Sequence, residues 1–322
     1  MTQHAVVTKS EPVVGPLTAE DLADAARILR LAFGTYFEVP DLDAFWTDRD
    51  FVYGRQPAAN VAAIGAKLDG KLAGSIFVTN WGSVGFFGPL SVHPEVQERG
   101  VARALVARAM RQFEAWGTRH AGLFTYAHSA KHVALYQKYG FYARFLTAVM
   151  ARPVRPRPWS PEWSRFSQLT EEGKRDALRS CRELAETIYP GLDLTDEIRT
   201  VAALQLGDVV LLGAPRAVSA FAVCHYGPRS EAGADTLFVK FGAVRPGPAA
   251  QQDCTRLIDA CEALAAVAGM KILQISTNMA RHESYRLLVD SGFRTGLQGV
   301  GMHHGNDPGY SRPGVYVFDD WR

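Results

Sequence analysis

A chain of 322 residues with 35 Lys and Arg against 33 Asp and Glu has material for two cores. It carries no charge excess that would commit it to nucleic acid or to an anionic membrane surface. Residues 1–16 lack a basic start followed by an apolar stretch, and no apolar run approaches the ~20 residues of a membrane span, so a soluble cytoplasmic protein is expected. The four cysteines contain no C-x-x-C. Cys254 and Cys261, on one predicted helix, stand about 10 Å apart against a disulfide limit of ~7 Å, and they read as reduced core thiols. The nine histidines show no metal-ligand spacing, and His303-His304 reads as a surface pair in a Gly-rich loop. No metal is expected.

In chain order, residues 1–12 read as a flexible N-terminus. Residues 17–47 look helical, with Thr18 as N-cap and acids in the first turn. Val61–Lys67 and Leu72–Thr79 alternate around Asp69-Gly70, a strong hairpin signal. Phe86–Val92 reads as a buried strand ended by His93-Pro94. After it, Val101, Leu105, Val106, Ala109 and Phe113 recur at helical spacing to about Trp116. Between strand and helix lies Gln97-Glu98-Arg99-Gly100-Val101-Ala102. A strand, a glycine turn and a helix start suit a phosphate, because the first helical N–H groups lack partners and the helix dipole favours an anion. Gly100 lets the backbone approach, Ala102 does not obstruct, and Arg99 and Arg103 add positive charge. Ala121–Tyr126 is a second strand, 129–141 a helix closed by Gly140, and Phe145–Arg152 a further strand. The Pro-rich, basic stretch after it, 152–164, reads as a stiff linker.

The Q-x-x-G-x-A of Gln97–Ala102, followed by Leu135-Tyr136-Gln137-Lys138-Tyr139-Gly140-Phe141, resembles the GCN5-related N-acetyltransferase (GNAT) family. The resemblance implies an α/β fold whose mixed, mostly antiparallel twisted sheet carries helices on both faces. It also implies an acyltransferase that moves an acetyl group from acetyl-CoA to a primary amine of a small molecule or peptide, by direct attack in a ternary complex. On that likeness the backbone of Leu90, Ser91 and Val92 binds the pantetheine arm and polarises the thioester. Gln97, Glu98, Arg99, Gly100, Val101, Ala102 and Arg103 hold the pyrophosphate. Ser129 stands where relatives often carry an Asn on the cofactor, and Tyr136 matches the acid that protonates the departing thiolate.

The base is open. Ser83–Val92 holds no ionisable side chain, and His93 belongs to a structural V-H-P turn. His128, beside Ser129, is a candidate, as are acids of 36–50 or of the second half. The acceptor would be read by Gly34–Phe51, rich in aromatic and acidic residues. The alternatives are a catalytically silent CoA-binding regulatory or interaction protein, and an acyltransferase with a longer acyl donor. Acetyl-CoA and an amine are the expected partners, without nucleic acid or membrane, and a homodimer is left open.

Beyond the linker the chain repeats itself. At an offset of 152 positions, Phe86 falls on Phe238, Val92 on Val244, Leu105 on Leu257 and Gly140-Phe141 on Gly292-Phe293. One offset at both ends points to an internal duplication, with 13–151 as a catalytic GNAT domain and 165–322 as a degenerate GNAT-like domain. Gln97, Gly100 and Ala102 fall on Ala249, Gln252 and Cys254, and Tyr136 falls on Leu288. Apolar packing between the halves and one acetyl-CoA per chain are therefore expected.

Overall fold

The computed structural model describes residues 10–322; of the expected flexible N-terminus, 1–9 lie outside the described residues. The first half builds β1 (Val13–Pro16), α1 (Leu22–Tyr36), β2 (Val61–Leu68), β3 (Lys71–Trp81), β4 (Val84–Val92), α2 (Val101–Trp116), β5 (His120–Thr125), α3 (Ala130–Gln137) and β6 (Phe141–Pro153). The second repeats the order as β7 (Trp163–Arg165), α4 (Glu171–Ile188), an inserted α5 (Thr195–Leu204), β8 (Gly207–Leu212), β9 (Ala220–Gly227), β10 (Gly233–Val244), α6 (Ala250–Val267), β11 (Ile272–Asn278), α7 (His282–Asp290) and β12 (Arg294–His304). A short β13 (Val317–Phe318) follows.

All strands join one sheet of order β1-β2-β3-β4-β5-β12-β6-β11-β10-β9-β8-β7, with β13 paired to β10. The order is symmetric about its centre. There the halves trade strands: β12 pairs with β5, and β6 pairs with β11. Both halves have the GNAT-like layout of a mostly antiparallel sheet, with β4–β5 and β10–β11 as the parallel neighbours.

Helix α2 buries Val101, Leu105, Val106, Ala109 and Phe113 against the first half's sheet, the face its spacing predicts. Helix α1 covers the opposite face through Ala25 and Leu29. A third core joins the halves, placing Trp81, Val84 and Phe86 among Leu192, Ile198 and Phe241. The packing between halves is apolar only in part: beside this core, buried Asn60 and Trp81 of the first half donate to Glu197 of the second at 2.7 and 3.0 Å.

Several elements differ from their sequence reading. The helix of 17–47 is shorter: Thr18 opens a 3-10 turn at Ala19–Asp21, and α1 stops at Tyr36, where Glu38 turns left-handed (φ 54°) before Pro40. The strand expected from Phe145 starts at Phe141, and Phe145 (φ 49°) is the irregular residue within it. His303 is not on the surface. It is fully buried between His120 and Trp321. All four cysteines are free and buried. No helix among the described residues is long and apolar enough to cross a membrane.

Candidate functional site

Strand β4 sets the site. Its partners on β5 run from Val84↔His120 to Phe87↔Leu123 and stop there. Across β3 the register slips by one, so that Gly88 and Pro89 together face Phe77. This bulge bends β4 away from β5 and opens a wedge between them. His93 N–H bonds to Ala73 O on β3 at 2.9 Å. By strand alternation the main-chain groups of Ser91 also turn to β3, while those of Leu90 and Val92 turn into the wedge. The Ser91 side chain is buried against Ser75, 3.3 Å away. Pro89 has no N–H, so Leu90 is the first donor after the bulge that can face a ligand.

At the wide end of the wedge is the turn. Gly100 is the N-cap of α2 with φ 84°, after Glu98 at φ 66°. A Cβ on Gly100 would meet nothing within 4 Å, so the space above the turn is open. The glycine is required by the backbone, which a side chain would strain, and not by a neighbouring atom. The first recorded bond of the helix is Ala104 N–H to Gly100 O, which leaves the N–H groups before it for an anion. Val101 is buried in the core and Ala102 half-buried. Arg99 is drawn back to Ser10 (2.9 Å) and Asp69 (3.7 Å), while Arg103 is exposed.

Lys131, which sequence reasoning did not single out, stands over the turn. Its Nζ is 3.5 Å from Gln97 Oε1 and 3.9 Å from Glu98 Oε1. The Tyr139 hydroxyl donates to Arg103 O at 2.8 Å and ties the end of α3 to the start of α2.

Tyr136 faces inward from α3 and packs on Phe87, the last paired residue of β4, at 5.6 Å between ring centres. Burial pushes its phenol far above its usual pKa, so the ring stays protonated. Ser129 caps α3 without spending its hydroxyl on the helix. His128, beside it, is exposed; its Nε2 lies 2.8 Å from the Tyr36 hydroxyl. Tyr36 also stacks on Tyr126, whose phenol is pushed up to about 12, chiefly by burial. The aromatic residues after α1 are spread between this cluster and the core. Trp46 and Phe51 pack under α1 with Phe33, and Phe45 stacks on Trp46. Tyr36 and Phe37 remain beside Tyr126.

The structure thus sets Lys131 of α3 over the Gln97–Arg103 turn and Tyr136 against Phe87 of β4, with Ser129 and His128 at the start of α3. Among the described residues no group of His, Cys, Asp or Glu has metal-ligating geometry.

Residues 24–141 match the family model described as "Acetyltransferase (GNAT) family". Among solved structures, a Pyrococcus horikoshii protein designated an acetyltransferase is similar with a TM-score of 0.64 at 14% identity, over 99% of this chain and 98% of that one. A GCN5-related N-acetyltransferase from Sphaerobacter thermophilus gives 0.56 at 14%, over 91% and 95%. A tandem GNAT protein from the clavulanic acid biosynthesis pathway gives 0.53 at 16%, over 91% and 98%. At these identities the structural likeness speaks to the fold. No match was found among curated protein sequences. Residues 24–141 of the first half thus match the GNAT acetyltransferase family, and the chain as a whole has the fold of two GNAT-like domains in tandem.

Proposed function

We propose that the first half is an N-acetyltransferase that takes acetyl-CoA in the β4–β5 wedge and passes the acetyl group to a primary amine. The observation that carries this reading is the wedge itself. Leu90 and Val92 turn main-chain donors into a gap whose open end is the left-handed Gly100 turn and whose floor holds Tyr136. The pantetheine arm would pair with β4, the pyrophosphate would take the N–H groups at the start of α2, and Arg103 and Lys131 would add charge. The Ser129 hydroxyl would reach the cofactor from the start of α3.

Chemically, the acceptor ammonium first loses a proton, for which His128 is the imidazole beside the end of β5. The free amine attacks the thioester carbonyl and forms the C–N bond, while the Leu90 N–H stabilises the developing oxyanion. Collapse breaks the C–S bond, Tyr136 protonates the thiolate, and the second proton shed by nitrogen restores the phenol. Mixing the protein with acetyl-CoA and a panel of amines, while following free thiol and acetylated product, tests the reading. Thiol release dependent on one amine class is expected. Tight CoA binding without transfer to any amine would instead favour the silent CoA-binding protein, which the lack of an ionisable side chain on β4 suits.

A further inference from the structure

Where the halves meet, two strand bulges face each other. In β4 the bulge is Gly88-Pro89. In β10 the register slips between Val239 and Phe241, so the extra residue is Lys240, the counterpart of Gly88 at the same offset. The Arg55 guanidinium lies between them. Its Nη1 donates to Gly88 O at 2.6 Å, and its Nη2 donates to the main-chain oxygen of Arg322 at 2.9 Å and pairs with Glu231. Lys240 Nζ lies 2.8 Å from Glu231 Oε1 and donates to the same Arg322 oxygen at 2.9 Å.

The side chains of Arg55, Glu231 and Lys240 are only 11%, 6% and 5% exposed. Burial works to raise the Glu231 carboxyl, yet Arg55 and then Lys240 hold it well below the usual range. Removing such charges from water is costly, and apolar residues would pack the same space at lower cost. What apolar residues cannot do is hold a peptide by its carbonyl.

We propose that Arg55 is a positioning residue: gripped by Glu231 of the second half, which Lys240 holds in turn, it fixes the Gly88 peptide and thereby aims the Leu90 N–H into the acyl site. The inference rests on the acyl-transfer reading above. It gives the second half a task in the chemistry of the first without a ligand of its own. The forked guanidinium is needed because one group must reach Gly88, Arg322 and Glu231 together, which a single ammonium on a flexible stem does poorly.

The test uses the full chain with Arg55→Lys and Glu231→Gln, and Arg229→Ala as a control on the lining of the same cavity, where among the described residues the Arg229 side chain bonds only Gln205. Three quantities are read: CoA affinity by calorimetry, kcat and KM for acetyl-CoA, and hydrogen exchange of the Leu90 and Val92 amides. Arg55→Lys should lower kcat by about 10–100-fold, the scale of a misplacement near 1 Å. Affinity and KM should stay within about threefold of wild type, while exchange at Leu90 quickens. Glu231→Gln should do the same more weakly, and Arg229→Ala should change nothing. A folded Arg55→Lys with kcat within threefold of wild type overturns the proposal, as does a loss of CoA affinity that matches the loss of kcat. Should Arg55→Lys not fold, Glu231→Gln is judged by the same criteria. Wild-type protein that binds no CoA sinks the acyl-transfer reading itself, whereas CoA binding with unaltered exchange at Leu90 in the variants sinks only the role of Arg55.

Discussion

In the first half, the main-chain groups of Leu90 and Val92 face a gap in which, among the described residues, no strand lies. In the second half the matching gap is filled by the chain itself. Strand β13 lies along β10 with Phe318 opposite Gly242 and Val317 opposite Ala243, and the Val244 N–H bonds Tyr316 O at 3.1 Å. Gly242 and Val244 are the counterparts of Leu90 and Val92. The filler is pinned from several sides. Thr277 Oγ1 donates to Val317 O at 3.2 Å, and Asp319 receives Arg281 at 2.6 Å and the Tyr310 hydroxyl at 2.5 Å. Arg281 stands where the first half has Ser129, and Leu288 where it has Tyr136. Helix α6 starts from Ala249 in a right-handed conformation behind Pro246 and Pro248, without the left-handed glycine of Gly100. The lesson concerns backbone satisfaction. A splayed strand exposes donors that must find partners. One copy of the fold meets that need with its own peptide, and the other leaves the gap without a strand among the described residues.

The largest expected effect concerns the phenol that only the first cleft keeps. Tyr136→Phe preserves the packing on Phe87 but removes the proton, and should lower kcat by roughly 10²–10⁴-fold with little change in CoA affinity. A steady-state loss under threefold would make the residue a packing group and erase that part of the contrast.

Next is the filler. Phe318 is 2% exposed, and Phe318→Ala should cost about 3–5 kcal/mol in denaturant unfolding. Calorimetry on the variant should still give one acetyl-CoA per chain, because the second turn and Leu288 remain unsuited. A second equivalent would mean that β13 alone closes the second cleft.

Gly100→Val forces a β-branched residue to φ 84°, and should weaken acetyl-CoA binding about 100-fold or more in a folded chain. Near-normal affinity would place the pyrophosphate elsewhere.

The smallest effect is with pH, at the histidines packed on the segment after β13. His303 lies 4.8 Å from the Trp321 ring and 5.1 Å from His120 between ring centres; burial, and then His120, hold its pKa down at about 3. Burial also lowers His120. A histidine depressed in the folded state takes its proton first in the unfolded chain. Its stabilising contribution is therefore complete above the unfolded value of ~6.5 and is lost as pH falls from there toward 3, at a cost of about 2 kcal/mol by pH 5. Thermal melts at pH 8 and pH 5 should show the drop, and His303→Asn should flatten it.

What could be read from the sequence was what neighbours in the chain decide. Asp69 and Gly70 are both left-handed (φ 51° and 76°), as the hairpin requires, and α2 spans Val101–Trp116 because its apolar stripe and Gly117 set both ends. The end of α1 was also a local matter, since Pro40 follows within a turn, but the apolar residues after it mimic a continuing helix. His303 was beyond reach, because what buries it is Trp321, brought in by a distant loop. Arg55 gave no signal, since its partners lie on β4, on the loop before β10 and at Arg322. Strand β13 is two residues long with no pattern of its own. The trade of β6 for β12 was hidden by the duplication itself: strands one offset apart carry similar patterns, and either could be drawn beside β5.

That trade has a consequence for how the protein is made. As the chain leaves the ribosome, β5 is complete once Thr125 has emerged, yet its neighbour β12 ends only at His304. Strand β6 is left unpaired for the same time, because its own partners, β11 and β12, also come later. Until then the first half carries a bare edge rich in unpaired N–H and C=O groups, the kind that recruits stray strands. The molecule's most distant contacts must form last and together, which slows folding and lengthens the exposure. A fragment ending at the linker would keep that edge for good, and should aggregate where the whole chain does not.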